Sequence, residues 1–152
     1  MPGYGILPAD AGEGLLPFAW AEERLARARS YWVATVGAED APHLAPVWGV
    51  WLDGEFFFST GRRSAKVRHL MRMPRCVISA DGAEEAVIMH GTAHEVDDPA
   101  TLARLGAAYV AKYDVNVTSM DEPIFRVRPE RAFGFVDSGE RFTASATRWT
   151  WV

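Results

Sequence analysis

The chain has 152 residues, 16 Lys and Arg against 20 Asp and Glu, a formal net charge of −4 and 49% hydrophobic residues. That length suits one domain burying roughly 70% of its unfolded surface, and a single cysteine, Cys76, excludes an intrachain disulfide. No basic segment leads into an apolar one at the N-terminus, and no apolar run nears the ~20 residues of a bilayer span, so the expectation is a soluble, cytoplasmic protein without a membrane span.

Residues 1–17, with Gly3, Gly5, Pro8, Gly12, Gly14 and Pro17, read as an irregular N-terminal arm ahead of a single domain over 18–152. A stretch rich in Ala, Glu and Arg predicts a helix from about Ala19 to Ala28, with Trp20, Leu25 and Ala28 on one face. Tyr31 to Val36 is aromatic and β-branched, and the polar turn Gly37 to Ala41 returns it into a second strand from His43 to Val50. Asp53-Gly54 between Val50-Trp51-Leu52 and Glu55-Phe56-Phe57-Phe58 is a strong hairpin signal. Three antiparallel strands are therefore expected before residue 60.

The next segment concentrates charge. From Phe56 to Ala80 there are six basic residues, Arg62, Arg63, Lys66, Arg68, Arg72 and Arg75, and no acid. Its opening, Phe57-Phe58-Ser59-Thr60-Gly61-Arg62-Arg63-Ser64-Ala65-Lys66-Val67, reads as a strand ending in hydroxyls, a Gly turn and a helix start. Helix starts leave oriented N–H donors and the positive end of the macrodipole. Ser59, Thr60 and Ser64 add hydroxyl donors and Lys66 a point charge, so the arrangement suits a phosphate. The helix is expected over 62–73, stopped by Pro74, with Val67, Leu70, Met71 and Met73 toward the core and Arg63, Arg68 and Arg72 outward.

Beyond it, Arg75 to Ala80 and Ala86 to Val96 read as strands, the latter bent or bulged at Gly91, with Cys76 a buried small hydrophobe. Asp97-Asp98-Pro99 caps a packing helix from about Ala100 to Tyr113, carried by Leu102, Leu105, Ala108 and Tyr109. Ile124 to Arg128, Ala132 to Val136 and Thr147 to Val152 supply the last strands, separated by Pro129 and an Asp137 to Ala144 loop. The sum is a mainly β, α+β chain: six or seven antiparallel strands in a small barrel with two or three helices.

The hairpin Ala41-Pro42-His43-Leu44-Ala45-Pro46-Val47-Trp48, the strand Phe56 to Thr60, the element Arg63-Ser64-Ala65-Lys66-Val67-Arg68-His69-Leu70 and the close Thr147-Arg148-Trp149 resemble the pyridoxamine-phosphate-oxidase-like split β-barrel superfamily. Within it, the resemblance is strongest to the flavin/deazaflavin oxidoreductases of actinobacteria. It implies a homodimer with cofactors at the subunit interface. Carried over, Ser59 and Thr60 would sit beside the cofactor's polyol or phosphate, and Ser64, Ala65 and Lys66 would bind the phosphate with Arg68 next to them. Pro46, Val47 and Trp48 would run along the ring system, and Trp149 would close the site from the partner chain. Arg63, Arg68, Arg72 and Arg75 exceed what one phosphate needs, which favours coenzyme F420, with its carboxylate-rich tail, over FMN. The implied activity is hydride transfer from reduced F420 to an electron-poor, conjugated small molecule, with His43, Tyr31 or solvent as proton source. Trp48, Trp51, Met89 and Trp149 would favour a flat substrate.

An FMN-dependent oxidoreductase of the same fold, or a carrier or sensor that binds cofactor without turnover, uses the same residues. His90 and His94, four apart in a strand, do not converge as a metal pair would. Glu84-Glu85 and Asp97-Asp98 read as solvated turn and cap charge. An acidic chain with one short basic patch argues against a nucleic-acid footprint.

Overall fold

Residues 5–12, 15–139 and 141–152 are described in a computed structural model of the chain. The strands are β1 (Leu7–Pro8), β2 (Tyr31–Val36), β3 (Pro42–Val47), β4 (Gly49–Leu52), β5 (Glu55–Ser59), β6 (Arg75–Ala80), β7 (Glu85–Glu95), β8 (Ile124–Val136) and β9 (Thr147–Thr150). The helices are α1 (Phe18–Arg27), α2 (Ala65–Arg72), α3 (Pro99–Tyr113) and α4 (Arg141–Ser145). No helix is long and apolar enough among the described residues to cross a membrane.

The nine strands form one mainly antiparallel sheet in the order β1-β9-β8-β7-β6-β2-β3, with β5 joined to β8 and β4 to β5. β8 belongs to both arcs: Ile124 to Val127 pair with β5, while Arg131 to Gly134 pair with β9. Consecutive strands β3 and β4 do not pair, so the barrel is open at a seam where Trp48 stands between them. This is the expected split β-barrel with more parts, nine strands and four helices among the described residues in place of six or seven and two or three.

Each departure has a local cause. The strand expected from His43 to Val50 breaks at Trp48, so four strands, β2 to β5, run from Tyr31 to the basic segment. The two strands expected on either side of Pro129 are one, because Pro129 sits at the β7–β8 register shift, where the ladder asks less of its missing N–H. The arm is not wholly irregular: Leu7–Pro8 pairs in parallel with β9, and the Leu7 N–H donates to the Ala146 carbonyl at 3.3 Å. Residues 1–4 and 13–14 of that arm lie outside the described residues. α2 is shorter than the helix expected over 62–73 and buries Leu70 alone, whereas Met71 and Met73 are 71% and 38% exposed rather than turned to the core. Two turns offer one contact row, and Met71 lies about 100° around the helix from Leu70.

The local signals hold elsewhere. Asp53 and Gly54 both take positive φ, 53° and 78°, as a two-residue type I′ hairpin requires. Asp98 caps α3 by accepting from the Thr101 N–H at 2.8 Å, with Pro99 opening the helix. The barrel interior holds Tyr31, Val33, Phe56, Phe58, Ile78, Met89, Phe125 and Val127, with Cys76 a free thiol at its margin. A second cluster, Val50, Phe57, Leu105, Tyr109, Tyr113, Val117 and Ile124, lies under α3. Each fully buried Phe stabilises the fold by about 1.5–3 kcal/mol relative to exposure.

Candidate cofactor-binding site

Strand β5 ends at Ser59, and the chain turns through Gly61 into α2. The Ser64 N–H donates to the Gly61 carbonyl at 2.8 Å, and the Ser64 hydroxyl accepts from the Val67 N–H at 3.4 Å as the helix cap. Thr60 Oγ1 and Ser64 Oγ are 3.3 Å apart, which ties the strand end to the helix start. Capping Val67 leaves the N–H groups of Ala65 and Lys66 without an acceptor among the described residues. The half-buried Lys66 ammonium likewise has no hydrogen bond or ion pair there, and burial lowers its pKa from the ordinary value. Two free N–H groups, a hydroxyl pair and an unpaired ammonium make a donor set for an anion.

The arginines divide. Arg62 pairs with Glu95 at 3.6 Å, and its N–H donates to the Glu122 carboxylate at 2.5 Å, so acids from distant segments reach the segment that has none of its own. Arg68 donates to the Arg63 carbonyl at 2.9 Å, and Arg72 to the carbonyls of Val36 and Gly37 in the β2–β3 turn. None of Arg63, Arg68, Arg72 and Arg75 has a carboxylate partner among the described residues.

At the seam, one turn of α3 holds the backbone. The Ser59 N–H donates to the Tyr109 hydroxyl at 3.1 Å, which donates to the Trp48 carbonyl at 3.2 Å. The Gly49 N–H donates to the Tyr113 hydroxyl at 3.0 Å, and Lys112 Nζ donates to the Gly49 carbonyl at 2.9 Å and the Tyr31 hydroxyl at 2.7 Å. Gly49 is required because a Cβ there would lie 2.8 Å from the Phe57 carbonyl oxygen. The Trp48 ring, 42% exposed, stacks on Tyr113 at 4.6 Å and 3°, with the Arg29 guanidinium 5.4 Å from its centre. Burial, then Arg29, brings the Lys112 pKa down to about 8, while burial raises the Tyr109 phenol.

Trp48, Ser59 and Thr60 thus line one pocket of about 290 Å³ with Gly61, Tyr109, Val115, Val117, Met120 and Glu122. Ser64 joins it through Thr60, and Ala65 and Lys66 follow in the chain. Val47 is buried next to the seam and Pro46 is exposed opposite Trp32. Arg63 and Arg68 flank the helix start on its exposed side. Trp149 is not brought to this group within the chain: it is 7% exposed, packs edge-on to Phe18 at 5.6 Å and meets Gly134. Met89 is fully buried, and Tyr31 donates to the Leu25 carbonyl from the core, with its pKa raised chiefly by burial.

Sequence reasoning missed Tyr109, Lys112 and Tyr113 as site-supporting groups. Their signal was present as two phenols four apart on a helix face with a lysine beside the second, polar tips that must find partners when buried. Glu122 and Met120 carried no local signal. The Cys76 thiol, pushed up to about 12 by burial, is no nucleophile.

An open split barrel with a phosphate-type donor set at a strand-to-helix turn and a flat aromatic wall beside it defines a cofactor-binding class of fold. Residues 19–135 match the family model for pyridoxamine 5'-phosphate oxidase, and the chain belongs to that family. None of the curated protein sequences matches this one. Among solved structures, a conserved hypothetical protein of Mycobacterium tuberculosis is 22% identical with a TM-score of 0.68, covering 89% of this chain and 85% of that one. An F420 reductase is 23% identical with a TM-score of 0.58, covering 73% and 94%. A heme binding protein from Mycobacterium smegmatis is 21% identical with a TM-score of 0.69, covering 89% and 59%. At these identities the likeness is one of fold.

Proposed function

We propose that this protein is a cytoplasmic F420-dependent reductase that transfers a hydride from the reduced cofactor to a conjugated small molecule. The observation that carries the reading is the half-buried, unpaired Lys66 ammonium beside two free helix N–H groups, a donor set that fits a phosphate. Ser59, Thr60, Ser64, Ala65 and Lys66 hold that phosphate. Pro46, Val47 and Trp48 line the ring, with Val47 offering backbone groups to its polar edge. The reduced deazaflavin supplies the hydride. The chain's own residues bind, orient and exclude water, and the α3 hydroxyls keep the seam at a fixed distance from the end of β5. Three guanidiniums without carboxylate partners near the helix, Arg63, Arg68 and Arg72, favour a polycarboxylate tail and hence F420 over FMN, whereas Arg75, the fourth expected, lines a cavity on the outer sheet face instead.

The protein acts as a homodimer. Its outer sheet face exposes Trp32 and Leu44 at 42% and 62%, in register with Pro46 and Ala34 across the β2–β3 pair. Closing this face against a second copy would cover an apolar strip that water otherwise meets.

Titration of apoprotein with FMN and with F420 of different tail lengths tests the reading. F420 is expected to bind more tightly, increasingly so with added glutamates, and reduced F420 to be oxidised only when an enone or quinone is present. Lys66→Ala should weaken both phosphate-bearing cofactors by about tenfold or more and leave riboflavin unchanged. Preference for FMN with indifference to tail length would assign the FMN oxidoreductase instead, and F420 binding without turnover of any acceptor would make the protein a carrier.

A further inference from the structure

The β7–β8 bulge builds a second concavity on the other face of the sheet. His90 pairs with Arg131 and Gly91 with Pro129, which leaves Glu130 as the extra residue of β8. A bulge bends its strand and re-aims the side chains beside it. Side-chain parity changes across this one: Val127 and Ala132 both face the core although they are five apart, and Glu130 and Arg131 both turn outward. Gly91 permits the close approach, since a Cβ there would press on the Arg128 carbonyl and come within 2.9 Å of the Val127 side chain. In register beside it stand two small residues, Ala34 opposite Val77 and Val77 opposite His90. The result is a cavity of about 590 Å³, about twice the volume at the seam and within the range of small-molecule sites.

Its chemistry is specific. Arg75 and Arg131 reach it from opposite sides, and neither has a carboxylate partner among the described residues. One acid, Glu130, is present and accepts from the Thr92 hydroxyl. His90 packs edge-on to Phe133 at 5.7 Å, and burial, then Arg131, lowers its pKa from the ordinary value. Half-buried Trp151 borders one edge, its main-chain N–H donating to the Glu130 carbonyl at 3.0 Å and its ring packed edge-on to Phe18 at 4.9 Å. Two guanidiniums against one carboxylate leave an excess of one positive charge, over a floor of Ala34 and Val77 and beside an indole.

We propose that this cavity binds a planar aromatic monocarboxylate. Arg131 and Arg75 take the carboxylate, because a guanidinium pairs such a group in a planar, bidentate way, and Ala34, Val77 and Trp151 take the ring. The site is separate from the phosphate grip: Ala34, Val77 and His90 alternate with the buried Val33, Ile78 and Met89 and so face away from the core side where Leu70 anchors α2. The apolar strip proposed for self-association borders it through Leu44, the register neighbour of Ala34.

The test is calorimetric titration of the full-length protein, in its native oligomeric state, with 2-naphthoate, 2-naphthalenemethanol and acetate. Naphthoate is expected to bind one per chain and to change Trp fluorescence, while the uncharged and ringless probes bind at least tenfold more weakly. Arg131→Met and Arg75→Met should each weaken naphthoate about tenfold or more. Val77→Phe, which fills the floor at a half-exposed position, should abolish binding with the fold intact by circular dichroism. Absence of naphthoate binding, or binding that both Arg variants retain unchanged, overturns the proposal. So does naphthoate binding that Lys66→Ala abolishes, which would put the anion at the grip. Loss of F420 and FMN binding with naphthoate binding preserved would instead sink the proposed function and leave this site standing.

Discussion

The hydroxyl of Tyr109 stands between the Ser59 N–H and the Trp48 carbonyl, and no other single side chain described links the strand end to the seam this way. Tyr109→Phe keeps the ring and strands both backbone groups, which should cost about 1–3 kcal/mol in urea denaturation and weaken flavin or deazaflavin binding. Equal stability and equal affinity would show the relay to be idle. Lys112 makes a different prediction because its folded pKa, about 8, lies below its ordinary 10.5. The unfolded chain then binds more protons between those two values, so the stability owed to this position is least below pH 8 and rises with pH up to about 10.5. Lys112→Met should flatten that limb of the pH–stability curve; a variant curve parallel to the wild type across that range would refute it.

At the scale of elements, the informative features are the places where a strand is interrupted. β3 and β4 part at Trp48 because α3 takes the carbonyls of Trp48 and Gly49 that a continuous strand would present to a neighbour. β7 and β8 slip at Gly91 because the backbones approach too closely for any side chain. Gly91→Ala should therefore destabilise by about 1–3 kcal/mol as an overpacking change, and by reshaping the bulge it should also lower affinity for naphthoate. A neutral effect in chemical denaturation would mean that the bulge yields freely. The helix α2 is the contrasting case: it contributes one core residue, Leu70, and otherwise displays charge, so its position follows from Ser64 and the β5 turn more than from packing.

At the scale of the molecule, the proposed homodimer closes through the outer sheet face. Leu44→Glu or Trp32→Glu places a charge on the exposed apolar strip without touching the core. Each should convert the proposed homodimer to monomer in analytical ultracentrifugation, and a dimer that survived both would have to close elsewhere. How much of this was legible in the chain follows the range of the forces involved. The Asp53-Gly54 hairpin, the Asp98-Pro99 helix start and the Gly91 bulge were readable because each depends on dihedral limits and hydrogen bonds within a few residues, whereas Ser64, expected inside a helix over 62–73, proved to be its cap. The strand-to-helix turn that brings Thr60 and Ser64 together was readable for the same reason. Trp48 beside Tyr109, Glu122 against Arg62, and Trp149 against Phe18 in its own chain's core were not, since these partners lie 60 to 131 residues apart in the chain and meet only once the sheet has ordered them. Alone, then, the sequence determined the mainly β class, the Asp53-Gly54 and Asp98-Pro99 signals and the strand-to-helix turn after β5, but not where every strand breaks. Only the tertiary structure decided which carboxylates reach the basic segment, where the barrel opens and which two faces of one sheet become cavities, because burial and cross-strand register are properties of distant segments brought together.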